Sequence, residues 1–438
     1  MHWNTTIGIH REFVASIMSR DRFLEIKANL HLVNNNENPN AEKLFKVHPL
    51  ITHLRQKFQS IPMDQELCID EQMVLFKGAS SIKQYIPSKP NKWGYKIFVL
   101  ADKSGMIHDF ISYTGKIEPV MTDGVPDLGV SSNVVLHLAQ IIPEHKNHLL
   151  YFDNWFSSIA LLEHLATRGI WCCGTIRAPR ITGLPKNKNN EKLLISKGQG
   201  SYSESKTSNL TKEVTHVQWY DSKLVNFVST FAKAKPVEIV QRYSRKEKKV
   251  VEIPRPSIVG MNNQGMGGVD IADCMISLYR IFLRSKKYYQ RLIFHLVDVT
   301  LLNSWNCYRR DATFLNIPKS SILKFAEFKI RVASDLMQAG KPNSLKKRGR
   351  PQTTPKLKKA RNFCIMPQPG ARFDEIDHFP FVDKVRRMCK NDGCSGKTNI
   401  VCPKCKVNLC LHSKANCFAQ FHGAKLMLQR ETSSFFVL

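Results

Sequence analysis

Three short acidic motifs constrain this chain most: Asp70 in Cys-Ile-Asp-Glu-Gln-Met, Asp153 in Tyr-Phe-Asp-Asn-Trp-Phe, and Asp270 with Asp273 in Gly-Gly-Val-Asp-Ile-Ala-Asp. Each closes an apolar run, so a fold that buries those runs must hold carboxylates at the mouth of its core. Hard divalent cations take oxygen ligands, and a pair of them activates the attacking oxygen and stabilises the leaving oxygen of a phosphodiester. The plainer reading of each Asp is a turn residue or helix cap. The motifs around each Asp decide between the two readings; bulk charge fits the first, although ribosomal or membrane-surface binding would give a similar balance. The chain has 438 residues, a formal net charge of +29 and an isoelectric point near 9.7, which implies a polyanionic partner, since Lys and Arg contacts to phosphates dominate nucleic-acid affinity. No run approaches the roughly 18 apolar residues that span a bilayer, and Met1-His-Trp-Asn does not open a signal peptide. An intracellular protein of about two to four domains is expected, with no membrane partner and no small-molecule substrate.

Apolar periodicity places the motifs on elements. Residues 1–66 are helical by spacing: Ile17, Phe23, Leu24, Ile26, Leu30 and Leu32 recur with a helical period, and a second run covers Leu44 to Ile61. Strand patterns follow at Glu66–Asp70, Tyr95–Asp102 and Ile107–Tyr113, the last two joined by a Lys103-Ser-Gly-Met turn. A helix from Val134 to Ile142 stops at Pro143. His148–Phe152 is a buried strand ending at Asp153, Ile159–Arg168 a helix closed by Gly169, and Ile170–Ile176 a further strand.

A three-stranded meander, then alternating helix and strand, with Asp on the first and fourth strands and a later Asp-bearing helix, is the ribonuclease-H-like α/β arrangement. There the first and fourth strands are neighbours. Asp70 and Asp153 then lie side by side, and Asp270 and Asp273, three apart, share a face of a helix beginning near Val269. The preceding Gly-Met-Gly-Gly permits close backbone approach to metal or DNA. The expected domains are a helical segment at 1–66, a catalytic part at 67–180, a β-rich insertion at 181–255 and the third acidic motif at 256–275. A second helical segment at 276–340, a basic linker at 341–384 and a Cys/His module at 385–425 follow.

Six of the twelve Cys fall between Cys389 and Cys417. The pattern Cys389-x4-Cys394-x7-Cys402-x2-Cys405-x4-Cys410-x-His412-x4-Cys417-x4-His422 supplies eight ligands, which suits two tetrahedral Zn²⁺ ions. Interleaved pairing puts Cys389, Cys394, Cys410 and His412 at one site and Cys402, Cys405, Cys417 and His422 at the other; sequential pairing is the alternative. A RING-like ubiquitin-ligase module has similar spacing.

The linker run Lys341 to Arg361 holds nine Lys or Arg and no acid. Lys346-Lys347-Arg348-Gly-Arg350-Pro contains the Arg-Gly-Arg-Pro core of an AT-hook, which enters narrow minor grooves. With Lys356, Lys358, Lys359 and Arg361 it also reads as a bipartite nuclear-localisation signal; a solvated basic linker is the bland alternative.

The chain resembles the piggyBac-type transposases, including host-adopted, transposable-element-derived copies. The resemblance rests on Met18-Ser-Arg-Asp-Arg-Phe23 with Leu30-His31, on Ile69–Val74 with Phe76-Lys-Gly78, and on Tyr85-Ile-Pro-Ser-Lys-Pro90 with Lys92-Trp-Gly-Tyr-Lys96. Tyr151–Ser157, Trp219-Tyr-Asp-Ser-Lys223, Gly267–Asp273 and the terminal Cys/His module complete it. It implies a DDE/D catalytic domain of ribonuclease-H-like fold using Mg²⁺ (two ions) at Asp70, Asp153 and Asp270, with Asp273 as a fourth acid. It further implies DNA binding and dimerisation by the flanking helical segments at 1–66 and 276–340. Excision through hairpin ends, insertion at TTAA, a homodimer on double-stranded transposon-end DNA in the nucleus, and a Cys/His module that binds those ends are implied as well. Two departures stand out. Family members usually carry a long N-terminal region before the segment that opens this chain, so the first DNA-binding part is expected to be incomplete, and Cys274 stands where Gln is frequent. The alternative is a catalytically inactive, sequence-specific DNA-binding protein derived from such an enzyme.

Overall fold

The computed structural model describes residues 12–339 and 366–423, apart from short interruptions at 38–42, 184–187, 208–212, 245–246 and 368–371 and a few single positions. The basic run with Lys346, Lys347, Arg348, Arg350, Lys356, Lys358, Lys359 and Arg361 lies outside the described residues. The chain divides into two compact units, Met1–Asn343 and Ser344–Leu438.

Helices α1 (Glu12–Ala15), α2 (Arg20–Asn29) and α3 (His48–Gln59) open the first unit. Ser19 caps α2 by accepting from the Arg22 N–H, and α3 buries Ile51, Leu54 and Phe58 at helical spacing. The meander follows as β1 (Glu66–Leu75), a short β2 (Gln84–Tyr85), β3 (Trp93–Asp102) and β4 (Ile107–Ser112). In the β3–β4 turn the Asp102 carboxylate accepts from the Ser104 and Met106 N–H groups, at 2.8 and 3.0 Å, while Gly105 supplies a positive φ of 84°. Then come α4 (Val130–Leu138), β5 (Leu149–Phe152), α5 (Ile159–Thr167) and β6 (Trp171–Thr175). Ser158 caps α5, and Gly169, at φ 70°, turns the chain back into β6.

β5 lies parallel between β1 and β6, and β3 runs antiparallel on the far side of β1. The expected neighbourhood of the first and fourth long strands is therefore present. Alternation sorts the side chains. Leu67, Ile69, Leu150 and Phe152 pack with Val134, Leu138, Leu161 and Leu165 of α4 and α5, whereas Cys68, Val74 and Tyr151 face the opposite layer. The Leu-Leu-Tyr-Phe run of β5 is near-continuously apolar because both its faces are covered.

One boundary differs from expectation. β1 does not stop at Asp70 but continues to Leu75, since Met73, Val74 and Leu75 resume the apolar pattern and pair with Lys96, Tyr95 and Gly94. Asp70 is thus mid-strand, with β3 on one flank, while Asp153 just follows β5.

The β-rich insertion has two parts. After α6 (Lys188–Lys197), strands β7 (Tyr202–Lys206), β8 (Thr215–Tyr220) and β9 (Leu224–Ser229) continue the large sheet beyond β6 through β6–β9 pairing. Strands β10 (Val237–Ser244) and β11 (Lys249–Pro256) form a separate hairpin. Among the described residues the large sheet runs β2-β3-β1-β5-β6-β9-β8-β7, with β4 also on β3.

Helices α7 (Ser257–Gly265), α8 (Gly268–Leu278) and α9 (Tyr288–Phe314) cover the face carrying Cys68 and Tyr151, and α10 (Phe325–Ala339) packs on α9 through Phe325 against Trp305. Helix α7 was not expected; its apolar residues Ile258 and Val259 are too few to show a period. The glycines between α7 and α8 answer a packing need. A Cβ on Gly265 would overlap the Tyr151 ring, and one on Gly268 would overlap the Asp102 carbonyl and crowd the Cys68 sulfur. The close approach they permit is to the sheet beneath. Among the described residues no helix is long and apolar enough to cross a membrane.

The second unit contains β12 (Phe381–Met388), β13 (Lys397–Cys402), β14 (Val407–Asn408), a small β15–β16 hairpin (Leu411–His412, Ala415–Asn416) and a short α11 (Cys417–Phe421). The module begins before the expected boundary at 385, because His378 and β12 belong to it. Its core is made of the cysteines themselves with Val407, Leu409 and Phe421.

Candidate catalytic carboxylate site and Cys/His module

The large sheet and α8 bring the aspartates together. β1 and β5 are in register at Ile69 and Phe152, so Asp70 and Asp153 are the next residues on adjacent parallel strands. Helix α8 packs on β1 and β3 and carries Asp270 in its first turn and Asp273 one turn on. Asp70 accepts from the Glu71 N–H at 2.7 Å, and Asp153 accepts from the Trp155 N–H at 2.7 Å in an Asx-type turn. The Asp153 main-chain carbonyl also accepts from the Ser157 hydroxyl, which pins the chain as it leaves β5.

Burial weighs on these groups. It pushes Asp70 up to about 7, with Glu71 and Asp153 adding repulsion against the pull of Lys89. Burial likewise raises Asp273 to about 6 and moves Asp153 above the usual carboxylate range. Asp270 is exposed.

Lys89, its partner Glu71 and Lys96 add further charge beside the aspartates. Lys89 donates to the Glu71 carbonyl at 3.2 Å and pairs with the Glu71 carboxylate at 3.7 Å. Burial opposes its charge, but Asp70, Glu71, Asp270 and Asp273 together outweigh that and hold Lys89 above its ordinary value. Lys96 lies over the rings of Trp155 and Phe98, at 4.4 and 4.6 Å, and burial lowers it despite Glu71, Asp153 and Asp70.

Beside the carboxylates is a cavity of about 290 Å³, whose lining includes Lys89, Asp270, Asp273, Arg280, Arg291 and His295. Gln72 on β1 donates its amide N–H to Asp273, and its amide oxygen lies 2.7 Å from His295 Nε2 of α9. Burial depresses His295 to about 3, so its ring is neutral.

Oxygen-only donors on four aspartates match a hard cation such as Mg²⁺, and buried carboxylates pushed toward neutrality are the condition such a cation relieves. The carboxylates are neighbours without being closed into a coordination shell. Among the described residues, the groups whose ligand atoms all lie within 4.8 Å of one another are the two in the Cys/His module.

Those two groups correct the expected pairing. One holds Cys389, Cys394, Cys410 and Cys417; the other holds His378, Cys402, Cys405 and His422. The ligands interleave as expected, but Cys417 replaces His412 in the first group and His378 fills its place in the second. Local structure explains the exchange. Asn416 caps α11, and the Phe418 N–H donates to the Cys410 carbonyl at 3.1 Å, which folds Cys417 back beside Cys410. His412 sits in the outward β15–β16 hairpin, exposed, with Nδ1 accepting from the Lys414 N–H.

The histidines of the second group are oriented from behind. His378 Nε2 lies 2.9 Å from the Asp374 carboxylate, leaving Nδ1 at 3.4 and 3.6 Å from Cys402 and Cys405 Sγ. His422 Nδ1 donates to the Phe418 carbonyl at 2.8 Å, and its Nε2 is buried without a hydrogen-bond partner among the described residues. A carboxylate- or carbonyl-anchored imidazole with a bare second nitrogen is how His presents itself to zinc. A tetrahedral Zn²⁺ fits both donor sets.

Of the residues that complete the sites, Gln72 lies past the expected end of the first strand and only the longer β1 puts it on the face of Asp70, while Lys89 and Lys96 stood in quoted motifs without a role. His295 and His378 lie outside every motif, and only the fold brings them in.

A family model described as Transposase IS4 matches residues 1–305. Human PiggyBac transposable element-derived protein 3 is 30% identical over 426 residues, covering 96% of this chain and 66% of that protein. Human PiggyBac transposable element-derived protein 2 is 29% identical over 314 residues, covering 70% of this chain and 52% of that protein. The chain thus spans less than two thirds of these relatives' own length. A cryo-EM structure of a piggyBac transposase synaptic complex with hairpin DNA superposes with a TM-score of 0.60 at 19% identity, covering 90% of this chain and 80% of that one. By the extent of the family match and the shared fold, this chain belongs to the piggyBac-type transposase family.

Proposed function

We propose that this protein cleaves and joins DNA strands as a metal-dependent piggyBac-like transposase. The observation that carries the reading is the convergence of Asp70, Asp153, Asp270 and Asp273 from β1, β5 and α8, with Asp70 and Asp273 pushed up to about 7 and 6 by burial. Asp70, Asp153 and Asp270 would hold the divalent ions, with Asp273 assisting. Mg²⁺ held there, two ions by family analogy, would supply polarisation of the attacking oxygen and charge neutralisation at the leaving oxygen of a phosphodiester. The chain's own groups do the rest. Trp155 N–H and Glu71 N–H aim the carboxylates of Asp153 and Asp70, and Lys89 and Lys96 supply positive charge to a phosphate beside them.

Double-stranded DNA, with transposon ends and TTAA targets, is the proposed substrate, and a nuclear homodimer the proposed form. Net charge of +29 supports a polyanionic partner. The C-terminal module, loaded with two structural Zn²⁺, is proposed to hold the DNA end.

The test uses the full chain, Mg²⁺ and duplexes closed by a TTAA hairpin. The wild type is expected to open the hairpin, and Asp153→Ala to lose about 10³-fold in rate, the loss expected when metal-borne charge stabilisation of several kcal/mol disappears. Binding of the duplex by both proteins with opening by neither would overturn the enzymatic reading in favour of a DNA-binding descendant.

A further inference from the structure

The carboxylate site contains a buried chain of hydrogen bonds that the proposed chemistry leaves unused. Gln72 and His295 are 1% and 5% exposed, and they link β1 to α9 through a 2.7 Å contact between the amide oxygen and Nε2. The other end of the Gln72 amide donates to Oδ1 of Asp273 on α8. Three elements far apart in sequence therefore meet in one linear network.

Valence determines its polarity. The Gln72 NH₂ faces Asp273 and the Gln72 oxygen faces His295; an amide nitrogen only donates and an amide oxygen only accepts. A neutral imidazole carries one proton, which that oxygen requires on Nε2. Each group has one allowed orientation. His295 sets the Gln72 amide, and the amide engages one oxygen of Asp273, leaving Oδ2 for the cavity that Asp270 also lines. Gln72 shares a strand face with Asp70, two residues away, so the same strand carries one acid and aims another.

We propose that Gln72 and His295 are positioning residues, a two-step relay that orients the Asp273 carboxylate and thereby sets the site's affinity for its divalent cation. The inference rests on the reading of Asp273 as part of a metal site. Groups that orient a ligand from behind typically alter metal affinity about 10- to 100-fold when removed.

The test is calorimetric titration of Mn²⁺ into zinc-loaded, DNA-free full-length protein. The carboxylate-site signal is defined as the binding that Asp270→Asn abolishes. Gln72→Met keeps the length and packing of the side chain but removes both hydrogen bonds; His295→Phe keeps a ring but removes the donor. Both are expected to weaken Mn²⁺ binding about tenfold or more. His295→Gln, whose amide N–H can reach the place of Nε2–H, is expected to restore affinity to within about threefold of wild type, a rescue that loss of ring packing would not show. Wild-type affinity in both Gln72→Met and His295→Phe would overturn the relay while leaving the metal site standing. Equal weakening in His295→Phe and His295→Gln would overturn it as well, by showing that the ring serves packing. No Mn²⁺ binding lost in Asp270→Asn would sink the metal-site reading itself, and the relay with it.

Discussion

Asp70 shows how one residue can be legible in sequence and misjudged in setting. The motif marks it as the end of an apolar run; the ladder with β3 carries the strand five residues further and leaves the carboxylate half-buried mid-strand. Its folded pKa of about 7 stands above the unfolded value of 3.8. The folded state therefore holds a proton that the unfolded state has released between about pH 4 and 7, and stability at this group falls as pH rises through that window. Metal-free wild type should gain more stability than Asp70→Asn when pH drops from 8 to 5.5, read as the difference in their melting-temperature shifts. A larger gain in the Asn variant would contradict the burial argument. A bound divalent cation reverses the sign by favouring the carboxylate, so Mg²⁺ should stabilise the wild type most above pH 7.

At the scale of elements, short pieces of backbone decide which side chains meet. The cap at Asn416 and the Phe418–Cys410 hydrogen bond fold α11 so that Cys417, not His412, joins Cys410. Native mass spectrometry of the full chain is expected to show two Zn²⁺, two retained in His412→Ala, and one lost in His378→Ala. Loss of zinc from His412→Ala with none from His378→Ala would restore the pairing read from spacing. Because the module's core is largely its cysteines, removing a ligand should also unfold it locally. The α7–α8 junction follows the same rule. Gly265 and Gly268 look in sequence like room for a ligand; in the fold they are room for Tyr151 and the Asp102 carbonyl, and so bring α8 close enough for Asp273 to reach Gln72.

For the molecule as a whole, charge sets the scale of its partner. If most of the DNA affinity is phosphate contact, filter binding of a TTAA duplex should weaken by about 10³-fold or more between roughly 50 and 200 mM salt, the change expected for six to ten neutralised phosphates. A flat salt response would contradict the role given to the net charge.

Sequence alone determined the order of the long strands and helices from β1 to β6, the adjacency of the Asp70 and Asp153 strands, and the interleaving of seven of the eight Cys and His residues that the C-terminal module gathers. Those features are written in local periodicity and spacing, which act over a few residues and survive without knowledge of distant partners. Only the tertiary structure decided the length of β1, the merging of β7–β9 into the large sheet, the exchange of His412 for Cys417, and the arrival of His378, His295 and Lys89 at their sites. Each of those depends on a contact between residues remote in the chain, and burial, which fixes such contacts and shifts the carboxylates, belongs to the packed molecule and to no segment of it.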